Sequence, residues 1–440
     1  MLKKIIPAFE WLPNYNKVDL RGDLTAGLIV AIMLIPQGMA YAMLAGLPPV
    51  MGLYASTVPL LIYAMFGTSP HLAVGPVALV SLLVIAGVSS IAEVGTNEYV
   101  SLAILLMLMV GIIQFLMGVL KLGFLVNFLS HVVISGFISA ASIIIAFSQT
   151  KHLLGVNLSA DKNVFFILWE SLIRISEINL FTFTLGITSI LTIILFKRYF
   201  PTVPAPLVVV VLSILIVYNL QLHQKGVNIV GDVPHGMPAI SMPNISMELF
   251  FALLPTALTI SFVGFMESIA MAKVIALKGK YKIEPNKELI GLGLANIGGS
   301  FFSGYPVTGG VSRSAVNYQS GAKTPLATMI TAVIIFLTLL FFTDLLYYLL
   351  IVTLAAIIMV AVFSLIDLRE ATYLFKNRKI DGSIWILTFL ATLIFGIVEG
   401  VVAGIVYSLL VFICKSSYLN LREWMVRKEL RKSRNKVDHT

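Results

Sequence analysis

The chain has 440 residues, 58% of them hydrophobic and only 12% charged, with a formal net charge of +9. Soluble globular chains carry roughly 25% charged residues, so a string of soluble domains is excluded in favour of one polytopic membrane domain. A single cysteine, Cys414, excludes a disulfide framework and a cysteine-based metal site.

The first 22 residues read as a cytoplasmic segment. They carry Pro7, Glu10 and Pro13 where a signal peptide needs an apolar core. A membrane-crossing helix needs about 20 mostly apolar residues, because it must satisfy its own backbone within the bilayer. On that basis a first group of segments falls at 23–44, 50–67, 74–90, 98–119, 127–149, 178–197 and 205–220. A second group falls at 248–272, 287–303, 311–320, 324–343, 346–365, 383–395 and 397–414. Within the first group, 161–176 carries Glu170 and Arg174 and reads as an interfacial amphipathic helix. The membrane domain therefore occupies 23–416, and 417–440 forms a basic cytoplasmic tail.

The basic residues orient this series. With the N-terminus inside, twenty-five of the thirty fall in cytoplasmic segments and only Lys151, Lys162, Arg174 and Lys225 outside. This asymmetry is the positive-inside bias, so the net charge marks a membrane side and not a nucleic-acid partner. Both termini are then cytoplasmic, in a plasma (inner) membrane. The thirtieth basic residue, Arg313, lies on neither side.

The third segment of each group is broken. The first reads His-Leu-Ala-Val-Gly-Pro-Val-Ala from His71, the second Tyr-Pro-Val-Thr-Gly-Gly-Val-Ser-Arg from Tyr305. Seven segments per group is an odd number, so the second group enters the membrane inverted relative to the first. Gly75 before Pro76 is pushed extended, Pro76 suits the first turn of a helix, and Thr308-Gly309-Gly310 leaves a helix to start near Val311. The expected fold is thus an all-α membrane protein of fourteen segments in a 7+7 inverted repeat. It contains two half-helices, each preceded by a short extended segment. Their facing N-termini would present unpaired N–H groups and positive dipole ends to one anion.

Arg313 falls in the first turn of the second half-helix, where it faces the anion site, pairs with a carboxylate such as Glu267, or snorkels to the surface. Glu267, preceded by a long apolar run, is either a proton-coupling group or a structural residue. Thr308, Ser312 and Ser314 are candidate donors to substrate oxygens, set against the tendency of mid-helix hydroxyls to bond their own backbone. In the first segment Pro36 frees a carbonyl, and Gln37 and Tyr41 share one helix face. The six histidines, at 71, 131, 152, 223, 235 and 439, are scattered, which argues against an enzyme centre.

The motifs that carry these features resemble the sulfate permease family, also called solute carrier family 26. They are Arg21-Gly-Asp-Leu-Thr-Ala-Gly, Ile35-Pro-Gln-Gly-Met-Ala-Tyr-Ala, Gly52-Leu-Tyr-Ala-Ser, Gly67-Thr-Ser-Pro-His with Gly75-Pro, Phe265-Met-Glu-Ser-Ile-Ala-Met-Ala-Lys, and Asn286-Lys-Glu-Leu-Ile-Gly-Leu-Gly with Asn296-Ile. The resemblance runs from about Asp19 to Tyr418. It implies a uracil-transporter-like fold, with a core of segments 1–4 and 8–11 that shifts, elevator-like, against a gate of segments 5–7 and 12–14. It also implies a homodimer that transports anions and needs no cofactor. The anion would lie between Gly75, Pro76, Val77, Ala78 and Gly310, Val311, Ser312, Arg313, with Gln37 and Tyr41 lining the site. Glu267 matches the family's acidic position for cation-coupled uptake, and Glu in place of Asp there points to protons over sodium. Exchange, channel-like conduction and sodium-coupled bicarbonate transport are the alternatives. Family members continue into a cytoplasmic STAS domain, which this sequence, stopping at Thr440 after the basic stretch Arg422–Lys436, does not contain.

Overall fold

The computed structural model describes residues 6–127, 131–156, 164–200, 203–238, 240, 242, 246–363, 365–396, 399–400 and 402–411. The basic tail, 417–440, lies outside the described residues. The first half consists of α1 (Leu20–Leu44), α2 (Val50–Tyr54), α3 (Val58–Phe66), β1 (Val74–Gly75), α4 (Ala78–Val88), α5 (Asn97–Val119), α6 (His131–Ser148), α7 (Val164–Ile173), α8 (Leu180–Tyr199) and α9 (Ala205–Leu220). The second half consists of α10 (Met247–Gly279), α11 (Pro285–Ser300), β2 (Thr308–Gly309), α12 (Val311–Gln319), α13 (Leu326–Phe341), α14 (Ile351–Phe363), α15 (Leu368–Asn377), α16 (Lys379–Phe395) and α17 (Val402–Val411). Helical structure falls on all fourteen apolar segments read from the sequence, and α7 falls on the amphipathic stretch. Among the described residues, six helices are long and apolar enough to cross a membrane, α1, α5, α8 and α10 included.

Local sequence explains the ends. Thr96 and Asn179 cap α5 and α8 by accepting from the N–H groups of Tyr99 and Thr182. Pro285 opens α11, where its missing N–H is no loss. Helix α10 runs seven residues past its expected end, through Lys273 and Lys278, and stops where Lys280 turns left-handed at φ 56°.

One helix pair packs backbone against backbone. A Cβ added at Gly111 of α5 would lie 2.6 Å from the Ile297 nitrogen of α11. One added at Gly293 of α11 would lie 2.5 Å from the Phe115 nitrogen of α5. Small residues at a helix crossing allow this approach, which van der Waals packing then stabilises in an apolar solvent. The buried side chain of Asn296 continues the seam. Its amide donates to Gln114 Oε1 at 3.1 Å and to the Val307 carbonyl at 3.1 Å, while its Oδ1 accepts from the Val307 N–H at 2.9 Å.

Two fully buried carboxylates tie down loops that helix packing leaves loose. Glu288 of α11 accepts from the Thr68 hydroxyl, from the N–H groups of Thr68 and Ser69 at 2.7 and 3.0 Å, and from the Tyr63 hydroxyl at 2.6 Å. Asp23 of α1 accepts from the N–H groups of Lys323 and Thr324 at 2.7 and 3.0 Å and from the Thr324 hydroxyl at 2.6 Å. Between them sits His71. Its Nε2 faces the Ala322 carbonyl at 3.0 Å and must carry the proton, so Nδ1 accepts from the Tyr281 hydroxyl at 3.1 Å. Burial pushes His71 below its ordinary pKa, and nearby Lys323 adds to this against the Ala322 carbonyl and Asp23.

Asp23→Ala leaves two part-buried N–H groups without their acceptor and should lower stability by about 2 kcal/mol. The loss will be read as a lower melting temperature of detergent-solubilised protein, with Asp23→Asn intermediate. Because the His71 pKa is depressed on folding, its contribution is present above the unfolded value near 6.5 and lost as pH falls through the folded one. The melting temperature should therefore fall more steeply between about pH 7 and about pH 5 in the wild type than in His71→Asn.

Candidate functional site

The two breaks meet. Strands β1 and β2 pair antiparallel, with Val74 opposite Gly309 and Gly75 opposite Thr308. Further bonds extend the junction on both sides. The Gly310 N–H donates to the Ala73 carbonyl at 3.0 Å, the Ala73 N–H to Ser314 Oγ at 2.9 Å, and Asn317 Nδ2 to the His71 carbonyl at 3.0 Å. Since the strands are antiparallel, α4 and α12 leave the ladder in opposite directions with their N-termini beside it. No side chain caps either one. Their first-turn N–H groups, which have no acceptor within a helix, and both positive dipole ends therefore remain available at the junction.

Helix α4 starts at Ala78, with Val77 extended at φ −136°, so Pro76 precedes the helix and does not form its first turn. The reason is the pairing with β2, which keeps this stretch extended. Gly75 takes φ +150°, a conformation that residues with a Cβ rarely adopt.

Arg313 lies at this junction with 1% of its surface exposed. Its Nη2 would stand 3.3 Å from a Cβ at Gly75 and 2.7 Å from one at Gly310. Nε and Nη2 are buried and have no protein acceptor. These two nitrogens form the side-on edge of the guanidinium, whose parallel N–H bonds match two oxygens of one planar or tetrahedral anion. Glu267 makes no ion pair with Arg313 within 4.0 Å. Glu267 is half-buried, and its Oε2 is shielded and without a partner. Arg313 lies within electrostatic reach of Tyr41, Glu267 and Tyr305, and Tyr41 within reach of Glu267 and Tyr305.

The other expected residues divide. Gln37 and Tyr41 are each 6% exposed, and Gln37 Oε1 is a buried acceptor with no protein donor. The Leu34 methyls on the same helix come within 3.7 Å of a Cβ at Gly75, so α1 does run beside the junction. Gly75, Pro76, Val77, Ala78 and Gly310 are buried there. Val311 and Ser312, in contrast, are exposed and lie on another side of α12 from Arg313. Ser314 and Thr308 are not free donors either. Ser314 Oγ donates to the Gly310 carbonyl at 2.7 Å and Thr308 Oγ1 to the Gly264 carbonyl at 2.6 Å. Sequence reasoning missed Ser268, whose hydroxyl accepts from the Gly309 N–H at 2.8 Å, and Tyr305, which meets Ser81 at 3.3 Å. Ser268 directly follows Glu267 in the chain, and that adjacency was the available signal.

A sulfate permease family model matches residues 20–388. Sulfate transporter 4.1, chloroplastic, of Arabidopsis thaliana is 42% identical over 94% of this chain and 61% of its own length. Human solute carrier family 26 member 6 is 33% identical over 94% of this chain and 58% of its own. The chain thus spans about three fifths of the length of these relatives. Among solved structures, the murine solute carrier 26 family member A9 anion transporter in the inward-facing state superposes with a TM-score of 0.89. It is 27% identical, over 94% of this chain and 72% of that one. The transmembrane domain of the cyanobacterial bicarbonate transporter BicA superposes with a TM-score of 0.77 at 25% identity, over 86% of this chain and 98% of that one.

A Cβ at position 310 would sit 2.7, 2.8 and 3.2 Å from Nη2, Cζ and Nε of Arg313, over the open edge of the guanidinium. Gly310→Ala should accordingly weaken binding of an oxyanion at this edge by at least about tenfold, roughly one charge-assisted hydrogen bond. Equilibrium binding of radiolabelled sulfate to purified protein checks this.

Proposed function

The chain belongs to the sulfate permease family, and from that premise we propose that it is a secondary active transporter of small anions of the sulfate class. The observation that carries this reading is the buried side-on edge of Arg313, without a protein acceptor, between two uncapped helix N-termini. A permanent cation shielded from water is costly unless an anion balances it. Two helix N-termini and a bidentate donor make an oxyanion the fitting partner.

In this reading the fourteen segments cross the membrane as two inverted groups of seven. Both termini are cytoplasmic, in the plasma (inner) membrane of a homodimer. The core would comprise α1–α5 and α10–α13 with both strands, and the gate α6, α8, α9, α14, α16 and α17. Packing supports a sliding, elevator-like mechanism. Where α10 faces α6 and α17, an apolar cavity of about 310 Å³ lies among Phe137, Phe262, Val263, Met266 and Val402. At the glycine seam inside the core the backbones of α5 and α11 instead touch directly. A boundary of side chains around a void shifts at lower cost than one of interlocked backbones.

Glu267 supports coupling to protons. Protonation removes a negative charge close to the anion, so proton and anion favour each other's binding, and by linkage the effect is reciprocal. The similarity to a bicarbonate transporter keeps sodium-coupled bicarbonate uptake as the second reading, with exchange or channel-like conduction as the uncoupled alternatives.

Radiolabelled sulfate uptake into proteoliposomes separates these. Accumulation should require an inward proton gradient, and Glu267→Gln should abolish that requirement while leaving sulfate exchange. Arg313→Gln should weaken sulfate binding about a hundredfold, the equivalent of two charge-assisted hydrogen bonds. Equal uptake with and without the gradient would overturn proton coupling, and a sodium gradient that substitutes for it would favour the second reading.

A further inference from the structure

Opposite charges in a water-poor site attract strongly, and Arg313 and Glu267 sit close enough to feel one another, yet they do not pair. A pair would occupy the guanidinium edge that the anion needs. Something must therefore hold the two apart, and the hydroxyls beside Glu267 are arranged to do so.

The chain of donors is directional. The Gly264 carbonyl can only accept, so Thr308 Oγ1 gives it its proton at 2.6 Å. That leaves Ser268 Oγ to donate to Thr308 Oγ1 at 2.6 Å. Ser268 Oγ in turn accepts from the Gly309 N–H at 2.8 Å. Both hydroxyls are buried, and each both donates and accepts. The approach is close: a Cβ at Gly264 would lie 3.1 Å from Thr308 Oγ1. Gly264 and Ser268 are one turn apart on α10, so the relay grips a full turn of that helix and fixes its rotation against β2. Glu267 precedes Ser268 by one residue, about 100° round the helix. While Ser268 faces β2, Glu267 cannot rotate into line with Arg313, which follows β2 by four residues.

We propose that Ser268 and Thr308 are positioning residues whose hydroxyl relay holds Glu267 off Arg313, so that the guanidinium edge stays open to the anion. This role rests on the anion site described above. Without the relay, this turn of α10 loses its hold on β2, and Glu267 closes onto Arg313 as an internal competitor of the substrate.

The test is a mutant cycle on the full chain, with radiolabelled sulfate affinity as the readout. Ser268→Ala and Thr308→Val should each weaken binding about tenfold. Thr308→Ser, which keeps the hydroxyl, should stay within about twofold of wild type. The decisive member is Ser268→Ala combined with Glu267→Gln. If the loss comes from a competing carboxylate, removing that carboxylate restores affinity to within about threefold of Glu267→Gln alone. General damage to the site would not be repaired this way. Should Ser268→Ala fail to fold, Thr308→Val with and without Glu267→Gln gives the same comparison. Wild-type affinity in both hydroxyl variants, or no recovery in the double variant, overturns the proposal. Unchanged sulfate affinity in Arg313→Gln would be a different failure: it removes the anion site itself, and the relay's role with it.

Discussion

Burying the guanidinium of Arg313 takes a permanent cation out of water, and its side-on edge gains no carboxylate in exchange. The surrounding structure follows from that imbalance. Two helices begin beside the charge, so their dipoles and free N–H groups add to the same positive potential and do not offset it. The backbone at Gly310 passes so close that no side chain fits between it and the guanidinium, and at Gly75 a Cβ would press against it. The carboxylate that would neutralise the charge, Glu267, is near and yet unpaired. Every local choice favours an outside anion over an internal one.

Holding such a site open demands rigidity, and polar groups supply it where apolar packing cannot. A two-residue ladder is too short to persist by itself. It is held here from both flanks. Asn296 reads both backbone groups of Val307, and Ser314 and Asn317 grip the stretch from His71 to Ala73. On the same body Glu288 and Asp23 anchor the loops on either side of His71. Each bond is worth little alone, but each satisfies a buried group that would otherwise be a liability.

The division between what the sequence discloses and what it hides follows the reach of each signal. Gly75-Pro76 and Thr308-Gly309-Gly310 announced the two breaks because their backbone preferences are local. Arg313 stood out because a charge in an apolar run is anomalous wherever it lies. Hydrophobic runs located the helices for the same reason. Ser268, Asn296, Asp23 and Glu288 gave no comparable signal. Their meaning lies in partners up to 301 residues away, as with Asp23 and Thr324, and periodicity records only that a face is buried. The distinction between Ser312 and Ser314 needed one finer quantity, the rotation of α12 about its axis. That rotation is set by Arg313 turning inward, and it leaves one hydroxyl exposed and puts the other in the ladder.

The same contacts decide where the molecule can move. The elements around Arg313 and Glu267 are closely joined: β1 to β2, α5 to α11 across Gly111 and Gly293, and α10 to β2 through the hydroxyl relay. Separating any of these breaks hydrogen bonds in a solvent that cannot replace them. Across the α10 boundary with α6 and α17 the contacts are apolar side chains around a cavity, and a shift there exchanges one set of dispersion contacts for another. In the proposed elevator-like reading, displacement of the site would occur at that boundary, and the site would travel intact. An anion held between Arg313 and the half-helices would travel with it, along with the carboxylate that senses its charge.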